Sequence, residues 1–284
     1  MEAIRNEIIA AANAKSRRLR ELVRAPEILV MPGAYDVLSA RLFEQMGFPA
    51  IQGTSGGIAA SLGYPDGEAM SREEFLDVTG DIAAAVSLPV NADAERGYGE
   101  VGATVRGLVA RGVAGMNLED GVGGHGGARG LVELPRQLEK IAAVTDAKRA
   151  LGSEFFLNAR VDAFMIMKDD PKKALGESIR RGNAYAEAGG DCIFFLQVHA
   201  RDIIATLVKE IAAPVSILAG PESPSVAELQ EIGLARVSYG SAFLKAAIGA
   251  TRKLAREIRE RGTVTALKEG LTTPEVAALV QKAK

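Results

Sequence analysis

Acidic side chains stand at the ends of several short apolar segments of this sequence. Asp93 and Glu95 lie in the last three residues of the segment LPVNADAE, Glu119 is the second-last residue of GVAGMNLED, and Asp66 lies in the loop after FPAIQG. Carboxylates gathered at one place repel each other unless a cation joins them, and oxygen ligands suit Mg²⁺. These four acids are therefore predicted to hold Mg²⁺, with Mn²⁺ as the alternative ion. Acids that only cap helices or pair with surface cations are the other interpretation.

One basic residue and one glycine-rich turn could bind an anionic substrate. Arg160 lies near the end of the apolar segment FFLNARVD, where burying a guanidinium without an anion is costly. We expect a bidentate clamp on a substrate carboxylate or phosphonate, or an ion pair with one of the acids. Ser55, Gly56 and Gly57 follow FPAIQG and could present backbone N–H groups to an oxyanion; a plain turn is the alternative.

The elements that must position these residues alternate between strands and helices. Short apolar strands that alternate with helices predict a parallel sheet buried on both faces. Eight strand–helix units between about residues 28 and 261 predict a closed (β/α)₈ TIM barrel. The alternative, a doubly wound open sheet, would usually carry a dinucleotide-binding fingerprint after its first strand, and the sequence has none there. A single domain is expected, with an N-terminal helix at about 2–24 and an extra C-terminal helix at about 263–283. The predicted strands are 28–33, 48–53, 88–95, 112–120, 155–162, 191–198, 213–220 and 235–240.

Barrel geometry brings the candidate residues together, because active sites of such barrels lie at the carboxyl ends of the strands.

Composition argues against other classes of partner. The net charge is −2, so no basic footprint for nucleic acid is present, and no apolar run is long enough for a membrane helix. The single cysteine, Cys192, excludes an internal disulfide framework, fits the cytoplasm, and is interpreted as a buried, inert thiol.

Several motifs resemble the isocitrate lyase/phosphoenolpyruvate mutase superfamily in the right order, from about residue 26 to 250. The motifs are PGAYDVLSARL, GFPAI, SGG, Gly63–Asp66, Asp93–Gly99, Asn117–Asp120, Asn158–Arg160 and Leu218–Gly220. The resemblance implies a barrel that binds Mg²⁺ and the α-keto-acid end of a small carboxylate, and chemistry through an enolate of pyruvate type. Expected substrates are oxaloacetate, a substituted malate or citrate-type acid, or phosphonopyruvate. The resemblance also implies a homotetramer in which C-terminal helices pack across subunits.

The resemblance carries roles to matching positions of this chain. Asp93 matches the acid that ligates the ion, while Glu95, Glu119 and Asp66 match acids around it. Ser55 and Gly56 match residues that grip the substrate carboxylate, and Arg160 matches its arginine. Gly57 and Asn158 are added as substrate-binding residues, and Glu119 and Arg160 are expected to act in catalysis.

The segment after Glu119 departs from the family. The lyases carry a Lys-Lys/Arg-Cys-Gly-His motif on this loop and the phosphonate mutases a lysine and an asparagine, whereas residues 121–127 read GVGGHGG. Six glycines lie between Gly121 and Gly130, which is compatible with a lid that closes over the site. His125 is predicted to replace the lyase cysteine as acid/base; a surface loop without a chemical role is the alternative. Gly53 and the Gln197–His199 segment also differ from the family pattern.

Two other functions remain open from the sequence. The pattern Gly53–Gly57 fits the G-x-S-x-G nucleophile elbow of serine hydrolases, with Ser55 as nucleophile. We expect no strand–turn–helix geometry there, and His199 is followed by two further strand–helix units, both of which disfavour that class. The second alternative is a barrel that binds a keto acid but has lost turnover together with its lid residues.

Overall fold

A computed structural model describes residues 5–123 and 130–281 of the chain. The strands within these ranges are β1 Leu29–Met31, β2 Gly33–Ala34, β3 Ile51–Gly53, β4 Val90–Asp93, β5 Gly115–Glu119, β6 Gly121–Val122, β7 Gly130–Leu131, β8 Phe156–Val161, β9 Cys192–Phe195, β10 Val215–Leu218 and β11 Arg236–Ser238. Nine of these described strands form one sheet of parallel pairs, in the order β1-β11-β10-β9-β8-β5-β4-β3-β2. A separate antiparallel pair joins β6 to β7.

The sheet closes on itself through its first strand. Only Pro32 separates β1 from β2, and these two segments stand at opposite ends of the strand order. A proline has no N–H for the ladder, so the first barrel strand is interrupted there. Gly33 belongs at this closure, because a Cβ at that position would lie 1.9 Å from the carbonyl oxygen of Gly240. The eight predicted strands and the (β/α)₈ barrel are confirmed.

Helices follow the strands as the sequence predicts. The helix starting after Ser71 is fixed by the predicted capping box, in which Ser71 Oγ accepts from Glu74 N at 3.2 Å and Glu74 Oε2 accepts from Ser71 N at 2.9 Å. The helices are α1 Asn6–Arg24, α2 Val37–Gln45, α3 Ser55–Ser61, α4 Arg72–Ala85, α5 Val101–Ala110, α6 Leu134–Leu151, α7 Ala163–Ile166, α8 Pro171–Glu187, α9 Arg201–Glu210, α10 Val226–Ile232, α11 Ala242–Arg261 and α12 Thr273–Val280, with a 3₁₀ helix at Thr265–Glu269.

Helix α1 covers the end of the barrel where the strands begin. Its buried residues Leu19 and Val23 pack with Leu29, Phe156 and Cys192, which stand at strand starts. Cys192 is fully buried and free, and burial raises its pKa to about 12, as expected for an inert thiol. Helix α1 does not cover the opposite end of the barrel, at the carboxyl ends of the strands, and this is the end where active sites of such barrels lie.

Two sequence expectations about helices are wrong. The C-terminal helix expected at 263–283 is two short helices instead, because Gly270 separates them and Thr272 starts α12 with its own capping box to Glu275. A strand–turn–helix does occur at Ser55, since β3 ends at Gly53 and α3 begins at Ser55. No helix in the described ranges is long and apolar enough to cross a membrane.

Candidate active site

The carboxyl ends of the barrel strands bring most of the predicted site residues to one cavity. Asp93 ends β4, Glu119 ends β5, and Arg160 stands one residue before the end of β8. The cavity has a volume of about 360 Å³, which is within the range of small-molecule sites. Predicted residues that line it are Ser55, Gly56, Asp66, Asp93, Glu95, Glu119 and Arg160.

The charges around this cavity do not balance. Four carboxylates and two guanidinium groups line it, so the described lining residues carry two excess negative charges when all six groups are ionised. Burial raises the pKa of Asp66, and the charge of Asp93 adds to this shift. Burial also raises the pKa of Glu95 to about 7. A bound divalent cation would offset these charges and favour the ionised carboxylates.

Ser55 links two of the acids. Its Oγ donates to Asp93 Oδ2 at 2.8 Å and also hydrogen-bonds to Asp66. Gly56 makes room for the second acid, because a Cβ there would lie 3.1 Å from Asp66 Oδ2. The other oxygen of Asp93 accepts a bond from Asn117 Nδ2 at 3.3 Å. Ser55 therefore orients carboxylates in this structure, and its hydrogen-bond partner is a carboxylate rather than the histidine that a serine nucleophile of a hydrolase would need.

The loop after β4 holds Glu95 in an unusual backbone conformation. Glu95 and Tyr98 have φ values of 47° and 53°, in the left-handed region, and such residues often cluster at functional sites. The carboxylate of Glu68 braces this loop, since its Oε1 accepts from the backbone N–H groups of Arg96 at 3.1 Å and Tyr98 at 2.7 Å. The Tyr98 hydroxyl lies 3.4 Å from Glu95 Oε1. This bracing fixes the direction of the Glu95 side chain.

Arg160 is engaged with two acids. Its Nε and Nη2 donate to the two oxygens of Asp162 at 2.7 and 3.3 Å, and its Nη1 lies 2.6 Å from Glu119 Oε2. Burial raises the pKa of Glu119, and the ion pair with Arg160 opposes that shift. The edge of the guanidinium formed by Nε and Nη2 is thus occupied by its hydrogen bonds to Asp162. A substrate would meet the Nη1 end, beside Glu119, because both residues line the cavity.

The acid next to Glu119 has a structural role. Asp120 is fully buried and accepts from Tyr185 Oη at 2.6 Å and from Arg181 Nη1 at 3.2 Å. Arg181 Nη1 also donates to the carbonyl oxygen of Val132 at 2.8 Å, and Val132 N donates to the carbonyl of Asp120 at 2.8 Å. This network ties the chain on both sides of the glycine-rich segment to helix α8.

Three predicted residues lie outside the described cavity lining. Gly57 packs against neighbours, since a Cβ there would lie 2.6 Å from Thr54 Cγ2. Asn158 is buried beneath the cavity and donates from Nδ2 to Asn117 Oδ1 at 2.7 Å. His125 lies outside the described residues, as does most of the 121–130 segment. The other histidine, His199, bonds through Nδ1 to Ser223 Oγ at 3.0 Å and is absent from the described lining.

The oxygen donors at this cavity suit a Mg²⁺ ion that keeps several waters better than an ion that is enclosed by protein ligands alone. Within 5–123 and 130–281, no three His, Cys, Asp or Glu side chains converge on one point. Mg²⁺ does not need such a cage, because it keeps several waters and uses one or two carboxylates together with substrate oxygens. Hard oxygen donors and two excess negative charges are the features that such an ion requires. The described acids fit such an ion, and the charge of Asp93 contributes to the raised pKa of Asp66, Glu95 and Glu119 alike.

Sequence reasoning missed several polar residues at and beneath the site. Arg96 lines the cavity, with Nη2 3.1 Å from Glu68 Oε2 and Nη1 3.8 Å from Glu119 Oε1. Its position directly after Asp93-Ala-Glu95 was the available signal. Arg236 is fully buried in β11, and a basic residue within an otherwise apolar strand was the corresponding signal there.

Comparison with known proteins places these features in a family context. A family model described as phosphoenolpyruvate phosphomutase matches residues 19–259. The 2-methylisocitrate lyase of Aeropyrum pernix is 30% identical over 258 residues, which cover 86% of this chain and 80% of that protein. The phosphonopyruvate hydrolase of Variovorax sp. (strain Pal2) is 30% identical, with 94% of each chain covered. The structure of oxaloacetate acetylhydrolase in complex with its product oxalate superimposes with a TM-score of 0.84, at 29% identity and 93% coverage of each chain.

Proposed function

The chain belongs to the phosphoenolpyruvate phosphomutase family, within the isocitrate lyase/phosphoenolpyruvate mutase superfamily, and from this premise we propose its reaction. It is a Mg²⁺-dependent enzyme that breaks or forms a C–C or C–P bond in a small α-keto or α-hydroxy carboxylate. Oxaloacetate, a substituted malate or citrate-type acid, and phosphonopyruvate are the candidate substrates. This proposal rests mainly on one observation. Among the described residues, four carboxylates and only two guanidinium groups converge at one cavity of about 360 Å³.

The acids of the cavity would hold the metal ion, and the turn at Ser55 would hold the substrate carboxylate. Asp93 is the proposed direct ligand, and Glu95, Glu119 and Asp66 hold the ion through water; Mn²⁺ is the alternative ion. When bound, the ion supplies positive charge that stabilises an enolate oxygen. Ser55 and Gly56 lie beside Asp93 and Asp66, so a substrate carboxylate held there must be separated from these acids by a cation. This placement supports the metal.

Arg160 supplies the second positive charge. Its Nη1 end lies at the cavity next to Glu119, where it can stabilise charge that develops on the substrate. Asp162 holds the other edge of the guanidinium, which keeps the group oriented before the substrate arrives. Glu119 lines the cavity beside Nη1 of Arg160, so it is placed to exchange a proton with a group bound at this end, and burial raises its pKa.

His125 remains the proposed acid/base of the 121–130 segment. A catalytic imidazole predicts that His125→Ala lowers kcat by roughly 100-fold. His199→Ala is the matched control, because that histidine bonds to Ser223, and it should leave kcat unchanged. Equal activity of wild type and His125→Ala would remove His125 from the mechanism.

Assembly as a homotetramer is proposed on separate grounds. None of the 20 residues of α11 is buried, and Ile248 and Ile258 are 60% and 48% exposed. A long helix with exposed apolar side chains supports packing against another subunit, and the number of four subunits comes from the family resemblance. Sedimentation of a 29.8 kDa species at micromolar concentration would contradict this proposal.

The reaction is tested with a panel of the candidate acids. Each acid is incubated with the protein and Mg²⁺, and the release of pyruvate or oxalate is followed by chromatography. We expect turnover of at least one acid, abolished by EDTA and restored by Mg²⁺. Turnover that EDTA leaves intact would contradict the metal-dependent mechanism, and Mg²⁺-dependent binding of an acid without turnover would support the keto-acid-binding alternative.

A further inference from the structure

A buried cation that no described acid pairs with lies inside the barrel beneath the site. Arg236 is fully buried at the first position of β11, and its Nη2 donates to Gln52 Oε1 of β3. Its Nε and Nη1 have no hydrogen-bond partner among the described residues. Within those same residues, no acidic side chain forms an ion pair with it. Because burying an unpaired charge is costly, this arginine calls for a role beyond packing.

Hydrogen-bonded amides connect this arginine to the site. Gln52 Oε1 also accepts from Asn91 Nδ2 at 3.0 Å, and the same Nδ2 donates to Asn117 Oδ1 at 2.8 Å. Asn117 Nδ2 then donates to Asp93 Oδ1 at 3.3 Å. The contacts run without a break from the guanidinium to the proposed metal ligand, through one side chain from each of β3, β4 and β5.

The two ends of this chain of amides favour one direction for every amide within it, and this is the direction that the backbone acceptors of Gln52 Nε2 also favour. A side-chain amide can turn over and exchange its donor and its acceptor. A guanidinium only donates, so Gln52 must present its oxygen to Arg236 and therefore to Asn91. Asn91 must then present its NH₂ group, which places the oxygen of Asn117 toward Asn91 and its NH₂ toward Asp93. A reversed Asn117 would direct its oxygen at the carboxylate and repel it.

We propose that Arg236 is a positioning residue, which fixes the amide directions of Gln52, Asn91 and Asn117 and so aims the Asn117 N–H at Asp93. The consequence for metal binding rests on the proposed function, because it takes Asp93 as the ligand. Asn158 supports the same arrangement, since its Nδ2 donates to Asn117 Oδ1 at 2.7 Å. Backbone acceptors favour the same direction, because Gln52 Nε2 donates to the carbonyl oxygens of Gly53 at 2.6 Å and Asn91 at 3.0 Å. Loss of the guanidinium removes the charged donor to Gln52 Oε1 and so weakens the hold of this oxygen on Asn91 Nδ2.

The test compares Arg236→Met with Arg236→Lys by calorimetric titration with Mg²⁺. Arg236→Met removes the donor, and we expect Mg²⁺ to bind about tenfold more weakly, as for other groups that orient a metal ligand. Arg236→Lys keeps a group that only donates, so its affinity should stay within about threefold of wild type. Val237→Ala is the matched control, because Val237 is equally buried and next in the strand but points to the other face. This control should lower Tm without weakening Mg²⁺ binding.

A double-mutant cycle separates positioning from general damage. Once Asn117→Ala has removed the last amide, adding Arg236→Met should weaken Mg²⁺ binding no further, whereas independent effects would add. Unchanged Mg²⁺ affinity in Arg236→Met would overturn the proposal, as would additive losses in the cycle. If Arg236→Met does not fold, Gln52→Met breaks the chain of amides one step later and should weaken Mg²⁺ binding similarly; unchanged affinity there would also overturn the proposal.

A neutron crystal structure of Arg236→Met, in which the hydrogens of each amide are seen directly, distinguishes failure of this inference from failure of the proposed function. Wild-type protein that binds no Mg²⁺ would refute the metal site alone. The orientation of Asn117 then decides the inference without any metal. A lost or reversed contact between Asn117 and Asp93 supports it, and the contact kept as in wild type refutes it.

Discussion

Replacing Arg160 with lysine separates the structural and chemical roles of this residue. The guanidinium makes two bonds to Asp162, at 2.7 and 3.3 Å, and one contact of 2.6 Å to Glu119. Lysine keeps the positive charge but has one nitrogen in place of three, so it cannot serve both acids with the same geometry. Asp162 is fully buried, and its carboxylate would lose part of its pairing.

The magnitude follows from the hydrogen bonds that a lysine cannot make. One hydrogen bond to a buried charged group contributes about 1.5–3 kcal/mol, so the free energy of unfolding should fall by about that amount in Arg160→Lys. If Nη1 also stabilises the transition state, removal of this pre-placed donor costs about 2–4 kcal/mol in kcat/KM. This corresponds to a decrease of about 30- to 900-fold.

The assays are urea denaturation and steady-state kinetics with the best acid of the panel. Arg20→Lys is the matched control, because Arg20 bonds Asp191 at 2.9 Å and Glu154 O at 2.9 Å near α1, at the other end of the barrel. It should lose stability and keep its kcat/KM. An Arg160→Lys enzyme with lowered stability but wild-type kcat/KM would show that Arg160 is only an ion-pair partner, and the mechanistic reasoning would be refuted.

Two further predictions concern the buried framework. Tyr185→Phe removes the 2.6 Å bond to buried Asp120 and should lower the free energy of unfolding by about 1–3 kcal/mol in urea denaturation; Tyr64→Phe, which loses a bond to exposed Glu74, is the control, and equal small effects would contradict the role of the Asp120 network. Cys192 should react with a thiol reagent at pH 8 only as fast as the protein unfolds, because it is fully buried with a pKa of about 12; complete labelling of native protein within minutes would contradict its burial.

The sequence predicts the barrel well because its strands are short apolar runs with clear helix starts between them. The Ser71–Glu74 capping box is one such signal, and the structure confirms it. Features that depend on single residues are harder to find. The break at Pro32 becomes visible only when β1 and β2 are seen to pair with different neighbours, and the start of α12 depends on a local cap at Thr272.

The site is predictable to the extent that strand ends mark it. Asp93 and Glu119 stand there in the sequence and line the cavity in the structure. The partners of these acids are less visible, because they arrive from other strands and depend on side-chain directions. Asn117 and Arg236 are distant in sequence, and only the closed barrel joins them through Gln52 and Asn91. The occupied edge of Arg160 likewise follows from the position of Asp162, which pattern alone does not give.

Calorimetric titration of the wild-type protein with oxalate, in Mg²⁺ and in EDTA, tests the central claim most directly. The acid cluster is proposed to hold a divalent cation that binds a small carboxylate, so oxalate should bind in Mg²⁺ and fail to bind in EDTA. Asp93→Ala should abolish the Mg²⁺-dependent binding and keep a wild-type Tm, because the mouth of the barrel contributes little to its core. Equal oxalate affinity with and without Mg²⁺ would contradict the account.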